Sequence, residues 1–224
     1  LASDLQVQTS VDKQVNLVVG GAAGAVLFWD GQTTGNAAID GGTGLWSSTS
    51  TSWTNASGNF NQNWNGGYAV FQGAAGTVTV EGAQSITGLQ FVSDGYSLAA
   101  GNAGELRLLN GSNGYAMMRV AEGSSATLGV NLAGSGSLAK VENGTLVLNG
   151  NNSYSGGTLL NGGRLVVGSD SALGSGALTV GNTALGTSGA LTLDSNKAVS
   201  LANSVVLDST LSIGGSHDLS LNGV

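Results

Sequence analysis

Few residues in this 224-residue chain are of types that do chemistry. There is one histidine, His217, no cysteine, and thirteen acidic residues against six basic ones. Zinc sites draw on closely spaced Cys and His, so the usual ones are excluded. A serine-protease site needs His, Asp and a Ser presented in a Gly-Asp-Ser-Gly-like context. The nearest string, "GSDSALGS" at 168–175, has those letters in another order. No Gly-x-Ser-x-Gly esterase motif occurs either. His217 and Asp218 lie together in "GGSHDLS" and read as a surface turn pair.

The carboxylates are the remaining chemical resource. A glycosidase or polysaccharide lyase needs two or three of them converging, often with Ca²⁺ or a basic residue. Here Asp30, Asp40, Asp94, Asp170, Asp194 and Asp208 stand apart, each beside turn-forming residues. Glu105, Glu122 and Glu142 are spaced evenly enough for successive turns of a repeat to stack them. The simpler reading is a set of solvated turn acids that keep the surface negative. "DGGTG" at 40–44 only partly matches the glycine-rich calcium repeat and reads as a turn. No metal or cofactor is expected.

The elements that would carry such residues are short strands. Apolar–x–apolar triplets recur at 78–80, 89–91, 106–108, 118–120, 128–130, 146–148, 165–167, 178–180, 191–193, 199–201, 205–207, 211–213 and 219–221. Alternation with period two means strand, with one face buried. Gly, Asn, Asp and Ser flank nearly every triplet and suit tight turns. No stretch keeps a helical period. A β-sandwich and a parallel β-helix both fit an all-β chain. The strands are too short and too many for one sandwich, and a stacked solenoid absorbs the uneven turn lengths. The fold expected is all-β, a right-handed parallel β-helix. The absence of proline fits, because strands paired on both sides need every N–H.

Composition narrows the function classes. The chain holds 39 Gly and only 8% charged residues, with a net charge of −7. Nucleic-acid binders cluster Lys and Arg, whereas Lys13, Arg107, Arg119, Lys140, Arg164 and Lys197 are scattered. The same scatter gives no polybasic segment for anionic lipid. Lack of Cys suits a protein exported unfolded through an oxidising compartment. The start, "LASDLQVQTS", lacks the basic and apolar regions of a signal peptide. The most apolar run, "VNLVVGGAAGAVLFW" at 15–29, is too short and glycine-rich for a membrane helix and reads as strand–turn–strand.

The first third differs from the rest. Residues 28–71 hold all four Trp and three of the four Phe. A solenoid end exposes strand edges and an open core, so large side chains there suit a cap. The organisation expected is a weakly matched leader at 1–25, an aromatic-rich N-terminal cap or first coils at 26–75, and the β-helix repeats at 76–224. The alternative for the aromatics is a platform for sugar rings. The residues to test as exposed binding aromatics are Trp46, Trp53, Trp64 and Tyr115, with most of the Trp expected to be buried. In "NNSYSGGTLLNGGRLVV", 151–167, Tyr154 and Gly156-Gly157 are expected at a corner, and Leu159, Leu160, Leu165 and Val167 inside.

The stretch "WDGQTTGNAAIDGGTGLWSSTSTSWTNASGNFNQNWNGGYAVFQGAAGTVTV", 29–80, resembles autotransporter passenger domains built on the passenger-associated strand repeat. So does 132–180, where "GTLVL", an Asn-Tyr-Gly-Gly-Thr turn and "NGGRLVV" follow one another. The resemblance covers about residues 26–224. It implies a Gram-negative cell-surface or secreted protein, exported through a C-terminal outer-membrane β-barrel that lies outside this chain. The chain ends at "LSLNGV" in mid-repeat and is expected to be a fragment. The expectation is a non-enzymatic adhesin that binds a host surface, matrix protein or glycan, or its own kind in aggregation and biofilm. The alternatives are a passive stalk and a carbohydrate-active enzyme.

Overall fold

The computed structural model describes residues 5–8, 16–19, 26–186, 188–215 and 217–223. Most apolar–x–apolar triplets form strands that bury their alternate residues, as in Thr145–Leu148, where Leu146 and Leu148 are buried. The triplet at 128–130 instead spans the end of Ser125–Leu128, and the last three, from 205 on, are strands with Leu207, Ile213 and Leu221 exposed. No strand is long enough to make a core alone. Stability comes from repeating the unit and stacking it in parallel.

Three sides result. The first is a ten-stranded sheet in which Val26–Trp29, Tyr68–Phe71, Gly88–Phe91, Ala116–Val120, Leu138–Val141, Thr158–Leu160, Leu178–Val180 and Val205–Leu207 follow one another in parallel. The second is an eight-stranded parallel sheet running from Gly44–Trp46 to Leu211–Ile213. The third is broken: Ala83–Ile86, Glu105–Leu108 and Asn131–Ala133 form one sheet, and Val199–Leu201 pairs with Leu219–Leu221. The chain visits the sides in turn, so its eight rungs are a parallel β-helix. Its interior is one continuous cluster from Leu27 to Leu201.

The break on the third side falls on the stretch 151–157. There the Asn152 side chain takes over the bonding that a strand would supply. Its Oδ1 accepts the Leu132 N–H at 2.8 Å and its Nδ2 donates to the Ala172 carbonyl at 2.6 Å. Asn152→Ala would leave both buried groups without these partners. A loss of about 2–4 kcal/mol is expected in urea unfolding; a change under about 0.5 kcal/mol would refute this role. Tyr154 is buried in the interior, its hydroxyl 2.5 Å from Thr158 Oγ1. Gly156 lies so close to the preceding rung that a Cβ would sit 2.6 Å from the Ser137 nitrogen.

Leu160, Leu165 and Val167 line the interior as expected. Leu159 does not: it is buried on the outer face of the first sheet with Ala139 and Val141. The period of two allows only one of two adjacent leucines inside, and Leu160 takes the place. In 15–29, Asn16–Val19 and Val26–Trp29 are both strands, but Asn16–Val19 pairs antiparallel with Leu5–Gln8. The turn expected between them lies outside the described residues.

The aromatic cluster closes the N-terminal end. Trp53–Thr54 pairs antiparallel with Val26–Trp29, and Asn61–Gln62 pairs antiparallel with Trp53–Thr54. This hairpin covers the first strand's edge with the wrong polarity for further parallel stacking. Behind it Trp53 packs against Trp64, Trp46 and Trp29 with centroids 4.5, 4.8 and 5.2 Å apart. Tyr96 pins the connecting loop: its hydroxyl lies 2.7 Å from the Gln72 and Ala74 carbonyls and accepts the Gly42 N–H.

Candidate functional site

The four aromatics singled out from sequence do not form one surface. Trp46 and Trp53 are fully buried, and Trp64 is 7% exposed with its indole N–H on the Ser85 carbonyl at 2.9 Å. Their rings pack on one another edge to face or tilted, so they offer no platform to a sugar. This corrects their reading as exposed binding residues. The physical reason is the open end of the solenoid, whose apolar cross-section only large rings can fill. Tyr115 is the exception. It is half-buried beside Met117 over the outer face of the first sheet and lines a cleft with Ser137, Gly157, Leu159 and Thr179.

The exposed aromatic that sequence reasoning passed over is Phe60, at 63%. It sits where the capping hairpin turns, between Asn59 and Asn61. Its signal was available: no apolar residue stands two places away on either side.

The acids do not converge. Among the described residues no group of three Asp, Glu or His comes together to hold a metal. Glu105 pairs with Arg107 at 2.8 Å, Glu142 with Arg119 at 3.0 Å, and Asp194 with Arg164. Glu122 is exposed in a turn. Stacking by one rung brings Glu142 and Asp194 to cations on neighbouring strands, and Glu105 pairs within its own strand, so these carboxylates do not meet each other.

One cation is placed unexpectedly. Lys140 points into the helix, in register between Met118 and Leu160. It is fully buried, and its Nζ donates to the carbonyls of Glu142, Gly162 and Val141 at 2.7, 2.9 and 3.0 Å. Burial pushes its pKa down to about 7, against the upward pull of the Glu142 carboxylate. Glu142 itself sits in the left-handed region at φ 66°, where the chain turns from the first sheet to the second. Lys140 thus ties that corner from inside.

The second sheet presents a long regular surface. Register places Thr77, Ser97, Thr127, Val147, Val166 and Asp194 in one file. Ser125, Thr145, Arg164, Thr192 and Ser212 make the neighbouring file. The two charges in these files, Arg164 and Asp194, pair with each other. In a chain of net charge −7 these files therefore form a strip of zero net charge. The seven strands they span, spaced by about 4.8 Å, make it roughly 29 Å long.

Comparison with known proteins adds the family. The model of the passenger-associated-transport-repeat matches residues 138–167. Those residues run from the Lys140 strand to the end of Gly162–Val167. The adhesin BmaC autotransporter of Brucella suis biovar 1 (strain 1330) is 38% identical over 173 residues, covering 68% of this chain. The chain spans only 5% of that relative's length. No solved structure matches.

Proposed function

We propose, from the premise that this chain is a stretch of autotransporter passenger and so belongs at the surface of a Gram-negative cell or outside it, that the stretch is adhesive and non-enzymatic. The observation that carries this is the strip of zero net charge, mostly Ser, Thr and Val, along the second sheet. Two such strips laid side by side exchange many weak contacts, and their one ion pair, Arg164 with Asp194, leaves no net charge to repel a second copy. The strip is roughly 29 Å by 13 Å, about 380 Å² per partner, well short of the ~800 Å² of a standard interface. A single stretch therefore holds weakly, and adhesion comes from many stretches acting at once. Similarity to an autotransporter adhesin supports the same reading. The bound surface is a second passenger in the first instance, and a host or matrix surface in the second.

Inert beads coated with the purified chain and mixed with uncoated beads of another colour provide the test. Coated beads are expected to clump only with each other. Clumping should strengthen as salt rises to about 0.15 M, because screening weakens repulsion between copies of charge −7. Thr127→Glu with Val147→Glu puts like charges on the strip and should disperse the beads. Wild-type beads that stay dispersed at every salt concentration would leave a passive stalk as the better description.

A further inference from the structure

We propose that the cleft beside Tyr115 is a binding site for one uncharged sugar ring. It arises from the stacking itself. Ala116, Leu138, Thr158 and Leu178 are in register, so the residues just before them, Tyr115, Ser137, Gly157 and Ala177, stand in one file at the edge of the first sheet. The side chains along that file fall from tyrosine to serine, glycine and alanine. The space they vacate is the cleft, with Tyr115 as its end wall. Three rung spacings make it roughly 14 Å long.

Its floor is apolar and its rim is polar. Leu159 lies at the bottom, with Thr179 one rung further on in the same outward file. Gly157 adopts φ 91°, which keeps larger residues from that point and holds the floor open. Ser137 Oγ donates to the Gly156 carbonyl at 2.7 Å and keeps its lone pairs for an incoming hydroxyl. Tyr115 and Thr179, both half-buried, bring two more hydroxyls to the lining. Asn113 accepts the Tyr115 N–H through Oδ1 and leaves its amide N–H groups to a ligand.

No Asp, Glu, Lys, Arg or His lines the cleft, so nothing there selects a charged ligand. An aromatic wall, an apolar floor and a rim of hydroxyl and amide groups match a ring with one C–H face and hydroxyls at its edge. A neutral hexose or N-acetylhexosamine unit has that form. This rests on the adhesive reading but uses a different side of the solenoid, so the two can fail separately.

The purified chain should be applied to immobilised maltotriose, chitotriose and lactose, with sialyllactose as a charged comparator. At least one neutral probe is expected to retain it. Tyr115→Ala should weaken that binding about tenfold, as loss of ring stacking and its buried area would. Thr179→Trp, which fills the cleft from an outward-facing position, should abolish it and leave bead clumping unchanged. Tyr115→Phe should keep most of the affinity. Retention of no neutral probe would overturn the proposal, as would equal binding by the Thr179→Trp variant. Clumping lost while sugar binding stays would instead count against the second-sheet strip alone.

Discussion

Lys140→Met is expected to cost about 2–4 kcal/mol of stability above neutral pH, and the cost should shrink as pH falls. The methionine fills similar space but supplies no donor to the carbonyls of Val141, Glu142 and Gly162. The pH dependence follows from the direction of the shift. Burial lowers the folded-state pKa to about 7 from the ordinary lysine value of 10.5. Below about 7 both states hold the proton, and the penalty for burying the charge is fully present. Between about 7 and 10.5 the unfolded chain keeps a proton that the folded one releases, so stability rises with pH. The limiting slope is about 1.4 kcal/mol per pH unit. Urea unfolding at pH 6, 7.5 and 9 checks this. Parallel curves for wild type and Lys140→Met across that range would show that the ammonium is not relieved on deprotonation.

Trp53→Ala should open one end of the molecule and spare the other. Trp53 is fully buried and meets Trp29, Trp46, Trp64 and Phe71, so truncation should cost about 3–5 kcal/mol locally. In a solenoid each rung contacts only its neighbours, and the loss is not shared evenly. Amide exchange is expected to speed up across 26–80, while the strands from Leu138–Val141 to Leu178–Val180 stay protected. Uniform loss of protection would mean that the stack unfolds as one unit and the aromatic end is no separate cap.

The same two residues mark what could be read from the chain and what could not. Triplets such as "LVL" at 146–148 are legible as strands because alternation is a local property. The strand Leu138–Val141 was missed because Lys140 occupies an inward position where an apolar residue is expected. Its partners, the carbonyls at 141, 142 and 162, converge only when rungs stack. Leu159 and Leu160 show the same limit, since adjacent apolar residues do not say which one faces in. The Trp cluster is legible as a distinct aromatic segment by composition alone. That its rings pack on one another, and so are lost to any ligand, depends on a hairpin that runs antiparallel to the first strand. The cleft at Tyr115 leaves no local signal: it is made by small residues 20 or more positions apart in the chain, brought side by side by register.

By itself, then, the sequence determined the repeating unit, the all-β class, the stacked solenoid and the passenger family. Each of these follows from short-range alternation, turn chemistry and a recurrent motif. Only the tertiary structure decided which outward side chains share a surface, which charges pair, which aromatics remain accessible and where a lysine enters the core. Those depend on register between rungs, and turns of unequal length make register independent of spacing along the chain.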